Sequence, residues 1–390
     1  MGIYVDVGYK SFNKFGEELC GDNVEIVRTD HSVIMVLADG LGSGVKANIL
    51  STLTSKIIAT MLKEGARVED AAETVAATLP ICKVRHLAYS TFSILEIFDT
   101  GDVYLVEFDS PSCVFVRDGK IMEIPFEPRT MGGKSVKEAR FQTTKDDVFA
   151  IFSDGVVFAG VGGVMNFGFQ WENAAEHIRS SVATERTAAR IAHSLSLVCE
   201  SLFAGHPGDD TTVMVAKICA EKTVNLFSGP PEDKEKDPEL VHDFMMGRGK
   251  RVVCGGSSAN IISRVLNRPI TTSLDYTDPD VPPMAHIDGM DLVTEGVLTL
   301  SKTVDILKQF QQNQTTYTDF KTLDNGGPAE TLAKLLLEDC TNLNLFVGRA
   351  INPAHQNPGL PMDLSIKLRI IENLMEVMKA LGKTVSIKYY

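Results

Sequence analysis

Through the first part of the chain, apolar and polar positions follow the two-residue rhythm of strands. The pattern runs through Tyr4, Val5 and Val7, then over Val24–Arg28 and Val33–Leu37, with Thr29-Asp30-His31-Ser32 as the hairpin turn between the last two. The period then changes to that of a helix. Val45–Lys63 lines up Leu50, Leu53, Ile57, Met61 and Leu62 on one stripe and stops at Gly65, and an Ala-rich second helix is expected over Val68–Thr78, ending before Pro80. Strand patterns return at Ser90–Phe98, Val103–Asp109, Ser112–Arg117, Lys120–Ile124, Phe141–Thr144 and Asp147–Phe152. Between the first of these lie Asp99-Thr100-Gly101-Asp102 and Asp118-Gly119, which suit tight turns. A meander of this kind favours an antiparallel sheet. Helices over Trp171–Val182 and Thr184–Phe203 follow, and Thr211–Cys219 closes the first block as a strand. In the glycine-rich stretch from Gly155 to Gly168 and just beyond, Val156, Val157, Phe158, Met165, Phe167 and Phe169 are too apolar for all to be expected at the surface.

Beyond Cys219 the rhythm changes again. A strand at Thr223–Phe227, a helix from Pro238 to about Met246, a strand at Arg251–Cys254 and a helix over Ser257–Leu266 have the spacing of parallel βαβ units. Helices over Leu292–Lys308, Ala329–Leu337 and Leu364–Leu381, with strands at Leu343–Val347 and Thr384–Tyr389, complete the expectation. The first block, 1–220, should therefore be an α+β layered α-β-β-α sandwich of antiparallel sheets flanked by helices. The second, 221–390, should be a smaller α/β domain.

Composition narrows the function. With 390 residues, 44% hydrophobic and 23% charged, the chain can bury two cores. A net charge of -13 disfavours nucleic acid as a partner, because such binding rests on Lys and Arg neutralising phosphates. Neither a signal peptide nor a membrane-spanning run is visible, so no membrane partner and a cytoplasmic location are expected. Seven widely spread cysteines without a C-x-x-C pair point to neither a disulfide framework nor a zinc site.

Chemistry enters at Val33–Gly44, V-I-M-V-L-A-D-G-L-G-S-G, where a buried strand would deliver an aspartate at its tip and glycines release the chain into a helix. Alone, such a turn can be structural or can cradle phosphate. The design recurs at F-A-I-F-S-D-G (149–155) and at G-D-D-T-T-V-M-V-A-K-I (208–218). Asp22, Asp39, Asp154 and Asp209 all fall at or beside strand ends and could converge at one end of the sandwich. Carboxylates gathered so closely need cations, and oxygen-only ligands select hard ions such as Mg²⁺ or Mn²⁺. Two such ions, with the Gly40 carbonyl in reach, could activate a water and clamp a phosphate, which suits phosphate-ester hydrolysis.

V-L-A-D-G-L-G-S-G, F-S-D-G and G-D-D-T-T-V, in this order, resemble the metal-dependent protein phosphatases of the protein phosphatase 2C superfamily, in its bacterial stage II sporulation protein E-like branch, over about residues 1–219. The resemblance implies two Mn²⁺ or Mg²⁺ ions: Asp39 bridging both, the Gly40 carbonyl ligating one, Asp154 and Asp209 completing the pair, and Asp22 binding through water. Asp210 falls where the family has Asn or Asp beside the ligand. The resemblance also implies a phosphoserine or phosphothreonine protein as substrate, with an anti-sigma-factor antagonist among the candidates. Two departures stand out. Leu41 replaces the histidine that eukaryotic members carry after the D-G, and Glu17 stands near the place of their phosphate-binding arginine. Lys14 and Lys46 remain candidates for phosphate contact, or are solvated surface lysines.

In the second domain Gly255, Gly256, Ser257 and Ser258 lie between a strand and a helix, where they could hold an anion, or Ser257 could simply cap the helix. Ser228-Gly229-Pro230-Pro231 would lie at the same sheet edge. Cys254 is expected to be a buried strand cysteine and His206 either metal-proximal or solvent-facing. His286, His355, Asp288 and Asp291 show no metal-ligand spacing. No Walker-type lysine or G-x-G-x-x-G is present there to give this domain nucleotide chemistry. The expected function is thus a Ser/Thr phosphoprotein phosphatase with a regulatory or small-ligand-binding domain, its oligomeric state open. The alternative is a non-catalytic phosphatase-fold scaffold whose second domain senses a ligand. Helices over Val45–Thr78 are plausible switch elements, since the first grows out of the metal-binding turn.

Overall fold

A computed structural model describes residues 3–78, 90–131, 134–272, 284–312, 315–350 and 363–390. The chain divides into two compact units, Met1–Ala220 and Glu221–Tyr390.

In the first unit, β1 (Ile3–Phe12), β2 (Asp22–Arg28) and β3 (Ser32–Gly40) lead into α1 (Gly44–Lys63) and α2 (Val68–Thr78). A run of strands follows: β4 (Ser90–Phe98), β5 (Asp102–Phe108), β6 (Val114–Arg117), β7 (Lys120–Met122), β8 (Glu127–Met131), β9 (Lys134–Gln142) and β10 (Val148–Phe152). The short α3 (Asp154–Val157), α4 (Trp171–Thr184), α5 (Ala188–Phe203) and β11 (Thr211–Ala220) complete it. Two sheets form, a six-stranded β2-β3-β4-β5-β9-β8 and a five-stranded β1-β11-β10-β6-β7, with every pairing antiparallel.

β3 shows why these residues make a sandwich. Its side chains alternate between two cores: Val33, Met35 and Leu37 point to the layer between the sheets, where Leu95, Leu105, Phe149, Ile151 and Met214 also lie. Ile34, Val36 and Ala38 point the other way, to Leu50, Ile58 and Leu62 of α1 and Val68, Ala72 and Val75 of α2. A strand buried on both faces reads as a continuous apolar run. On the opposite side, α4 and α5 cover the outer face of the five-stranded sheet through Ile178, Ile191 and Leu195 against Val148, Ala150, Phe152 and Val213. The result is the expected α-β-β-α sandwich. Phe158 and Phe167 turn outward, 50% and 81% exposed, while Val156 is buried.

In the second unit the elements are β12 (Thr223–Ser228), α6 (Asp237–Met246), β13 (Lys250–Cys254), α7 (Gly256–Leu266), β14 (Thr271–Thr272), β15 (Ala285–His286) and β16 (Leu292–Thr294). Then come α8 (Val297–Gln311), α9 (Tyr317–Asn325), α10 (Pro328–Glu338), β17 (Asn342–Val347), α11 (Asp363–Ala380) and β18 (Thr384–Tyr389). The sheet order is β14-β15-β16-β13-β12-β17-β18, and the run from β16 to β18 is parallel. Strand order reverses at β12, the signature of a doubly wound sheet. Leu292–Lys308 is not one helix. Leu292, Val293 and Thr294 are buried as a strand beside β13, and the helix starts only at Val297, after Gly296. Short apolar runs fit both periods, and here sheet pairing decides.

Candidate metal centre

Register brings the first two acids together. Thr29 Oγ1 accepts the amide of Ser32 at 2.8 Å and closes the β2–β3 turn. Pairing then runs from Arg28↔Val33 to Asp22↔Asp39. A slip of one residue would send the two carboxylates to different faces. Asp154 and Asp209 come from the other sheet. Asp154 opens α3 immediately after β10, and Asp209 precedes β11, which pairs antiparallel with β10. Two hydrogen bonds join these segments, from Ser153 N to Thr212 O at 3.0 Å and from Thr212 N to Ser153 Oγ at 2.9 Å.

The carboxylates feel one another. Burial first, and then the charges of Asp22, Asp154, Asp209 and Asp210, together raise the Asp39 carboxyl to about 9. Burial also lifts Asp22 to about 7, with Asp210 and Asp154 adding to it and the Ser153 and Thr212 hydroxyls opposing. Asp154 is raised by burial and then by Asp209. Asp209 is raised by burial and by Asp210, against the amide of Asp210 and the charge of Lys14.

Asp22 is 5% exposed, and although the Ser153 and Thr212 hydroxyls lie near enough to favour its ionised form, the Thr212 hydroxyl is engaged with Ser11 and neither Asp22 carboxylate oxygen is in hydrogen-bond geometry with a partner. Asp210, 4% exposed, accepts the Lys14 amide at 3.0 Å through Oδ1, while its Oδ2 is likewise buried and unpartnered. Buried polar atoms left so are costly, by about 1–3 kcal/mol each and more when charged. An all-oxygen donor set with orphaned buried carboxylate atoms fits a hard divalent cation. Among the described residues, no three acid, imidazole or thiol side chains stand together at metal-binding distances.

Gly40 sits where no other residue fits. A Cβ on it would lie 2.1 Å from the Ala47 carbonyl oxygen of α1, and its amide donates to Gly21 O at 3.1 Å. Thus α1 packs directly on the turn that carries Asp39.

Around this edge the structure adds Asn13, Phe15 and Ser43, which sequence patterns did not single out, to the neighbourhood of Lys14, Glu17 and His206. A turn over residues 13–19 is closed by Asn13 Nδ2 donating to Glu18 O at 2.9 Å and by Glu17 N donating to Lys14 O at 3.1 Å. Ser43 Oγ donates to the Glu17 carboxylate at 3.0 Å. Glu17 therefore secures the start of α1 instead of supplying a cation. Lys14 lies close enough for Asp209 to feel its charge, whereas Lys46 is exposed on α1. His206 is exposed and packs against Phe15, the two rings tilted at 55° with centroids 4.5 Å apart.

In the second unit, α7 begins at Gly256 with Gly255 as its cap and without a side-chain capping bond, so Ser257 does not cap it. Ser257 is exposed, and Ser258 is fully buried. The Ser258 hydroxyl donates to Cys254 O at 3.3 Å and accepts the Gly229 amide at 2.7 Å, tying the loops after β12 and β13 together. Cys254 is buried, which raises its thiol to about 12. His286, Asp288 and Asp291 are exposed, and His355 lies outside the described residues. Among the described residues, no helix is long and apolar enough to cross a membrane.

The family model described as stage II sporulation protein E matches residues 29–218. Among solved structures, the PP2C phosphatase domain and regulatory-domain fragment of the cell fate determinant SpoIIE from Bacillus subtilis is 21% identical. That likeness covers 56% of this chain and 64% of that one, with a TM-score of 0.47. This chain therefore spans less than two thirds of that structure. The RsbU and RsbW domains of a Mycobacterium tuberculosis protein are 16% identical over 63% of this chain and 68% of theirs, with a TM-score of 0.47. The catalytic domain of the serine threonine protein phosphatase PstP, in complex with two manganese ions, is 18% identical over 56% of this chain and 100% of its own, with a TM-score of 0.40. Among curated proteins, none matches.

Proposed function

We propose, from the match of residues 29–218 to the family model of stage II sporulation protein E, that this protein is a PP2C-type, divalent-metal-dependent serine/threonine phosphoprotein phosphatase. The observation that carries the reading is Asp22, buried opposite Asp39 with both carboxylate oxygens unpartnered, at the edge that Asp154 and Asp209 share. Asp39, Asp154 and Asp209, with the Gly40 carbonyl, would hold two Mn²⁺ or Mg²⁺ ions, and Asp22 would act through water. When bound, such ions neutralise the carboxylates, activate water and offset charge on the phosphate oxygens. The protein's own residues do the rest. The β2–β3 register and the β10–β11 pairing fix where the acids stand, Gly40 lets α1 close against the turn, and Lys14 offers a cation to a phosphate oxygen. Leu41 offers no acidic proton, so protonation of the leaving serine oxygen falls to water or to another residue.

The substrate proposed is a phosphoserine or phosphothreonine protein, with an anti-sigma-factor antagonist as the first candidate. For residues 221–390 the proposed role is regulatory, through a small anionic ligand at the carboxyl edge of the parallel strands. There Gly255, Gly256 and Ser257 are the available donors, since Ser258 spends its hydroxyl inside the fold.

Hydrolysis of p-nitrophenyl phosphate and of a phosphoserine peptide, with and without Mn²⁺, tests the reading on the wild type and on Asp39→Asn and Asp154→Asn. Metal-dependent turnover that both variants lose is expected. A wild type that binds Mn²⁺ yet turns over neither substrate would favour the scaffold reading.

A further inference from the structure

Resting on the phosphatase reading, we propose that the turn Asn13–Leu19 is a substrate-recognition element, in which the Phe15 ring, packed against His206, receives an apolar side chain flanking the phosphorylated residue.

An exposed phenylalanine is not by itself informative, because single apolar residues are common on protein surfaces. Here the placement is what matters. Phe15 is 62% exposed on a turn whose backbone is held from several sides. Inside the turn are the bonds from Asn13 and Glu17. Outside it, the Lys14 amide donates to Asp210 Oδ1 at 3.0 Å, the Phe15 amide donates to Pro207 O at 2.8 Å, and the Glu17 carboxylate accepts from Ser43 at 3.0 Å. The turn is thus fastened on one side to the segment carrying Asp209 and on the other to the end of the Asp39–Gly40 turn. A simple β1–β2 connection requires neither fastening. Both bring the Phe15 ring to the rim of the acidic edge.

The ring is also held in place. His206 packs against it at 4.5 Å with an interplanar angle of 55°, leaving the rest of the ring open. A rigid, pre-ordered aromatic loses little entropy when a partner side chain settles on it. Beside it, Lys14 makes no ion pair among the described residues, although its charge acts on Asp209. A cation and an apolar ring on successive residues of one fixed turn match a phosphorylated residue followed or preceded by an apolar one. The occupant is therefore a phosphoprotein segment in extended form.

The test uses the full chain with Mn²⁺ and two phosphoserine peptides, one with leucine on both sides of the phosphoserine and one with glycine. Wild type should favour the leucine peptide about tenfold in kcat/KM, within the range one apolar contact supplies. Phe15→Ala should bring the leucine peptide down to the glycine level while leaving the glycine peptide unchanged, and Phe15→Leu should restore part of the preference. Equal loss for both peptides, or no loss for either, overturns the proposal. Failure of the metal centre would look different, since neither peptide would then be turned over. In that event the affinities of the two peptides for the Asp39→Asn protein, read by fluorescence polarisation, decide: tighter leucine binding that Phe15→Ala abolishes supports the rim, and equal affinities refute it.

Discussion

If Asp22 is kept for a cation, then in the metal-free protein it is a liability, and replacing it with asparagine should stabilise the apo fold while weakening the response to metal. Asp22 and Asp39 are direct cross-strand partners. Such partners hold their Cβ atoms about 5 Å apart, and like charges there are destabilising. With an effective dielectric near 20, one like-charge pair at about 5 Å costs about 3 kcal/mol. Asparagine keeps the shape and removes the charge but leaves a buried amide with unpartnered atoms, which takes back about 1 kcal/mol. The net gain is about 2 kcal/mol, or about 4–8 °C in melting temperature for a unit of this size. A raised carboxyl contributes this instability only where it is ionised, so the apo proteins are compared at pH 10, above both the value of about 7 reached by Asp22 and that of about 9 reached by Asp39, and the Mn²⁺ series, run at pH 7.5, reads only the size of the rise.

The assay is thermal unfolding by circular dichroism, in EDTA and in a Mn²⁺ series. A saturating ion at a hundred times its dissociation constant stabilises by about 2.7 kcal/mol. Wild type should show that rise, and Asp22→Asn should start higher and rise less. An apo variant that melts below wild type, or one whose Mn²⁺ response equals that of wild type, would refute the reasoning: the first would show the carboxylate satisfied without metal, the second that it does not help hold the ion.

Gly40→Ala forces a methyl against the Ala47 carbonyl oxygen at 2.1 Å, so it should lower stability by about 2–3 kcal/mol, readable as a lower urea midpoint at unchanged slope. Asp147, its side chain 1% exposed, pairs with Arg117 at 2.6 Å and also accepts from the Thr143 hydroxyl and the Thr144 amide. Asp147→Asn weakens a part-buried pair, Arg117 being 28% exposed, together with its charge-assisted hydrogen bonds, and should cost about 1–3 kcal/mol in chemical denaturation. In the second unit, burial opposes ionisation of Asp339, but hydrogen bonds from Lys250 and Lys222 outweigh it and hold the carboxyl at about 2. That lowering stabilises the fold above the ordinary carboxylate range, and the gain is lost as pH falls from about 4 toward 2. After solvent screening it is worth about 1 kcal/mol. Asp339→Asn should therefore be less stable than wild type at pH 6 and converge with it by pH 2, and parallel acid-unfolding curves would count against the pair.

Much of this was legible because it is local. The double-faced burial of β3 shows as an unbroken apolar run, α1 as a 3.6-residue stripe, and the D-G turns as glycines after strands. The hairpin β8–β9 was mostly missed because its residues, E-P-R-T-M and K-S-V-K-E-A-R-F-Q, are charged and interrupted by Pro128. Such composition suits an edge strand, where charge and proline guard open hydrogen-bonding groups, and it hides the alternation that betrays a half-buried strand. β16 failed for the opposite reason. Two apolar residues and a threonine before a helix carry too little pattern to separate a strand from a first helical turn.

The rim of the acidic edge was unreadable for a different physical cause, and the glycines of D-G-L-G-S-G show it. From sequence they announce a turn. In the fold, Gly40 is required because the Ala47 backbone of α1 lies on it, and Gly44 is favoured by its φ of +68°, with the Glu17 carboxylate resting where a side chain would go. Asn48 of the same helix donates to Cys20 O at 2.8 Å. The first turns of α1 therefore clamp residues 17–21, which lead into Asp22, onto residues 40–44, which follow Asp39. One helix end sets the spacing of both acids, so a displacement of α1 cannot move one carboxylate segment without straining its tie to the other. The contacts that enforce this, Ser43–Glu17 and Asn48–Cys20, span 26 and 28 positions across the β2–β3 hairpin. No period of two or 3.6 spans that distance, which is why the motif could name the acids while the arrangement that holds them emerged only from the fold.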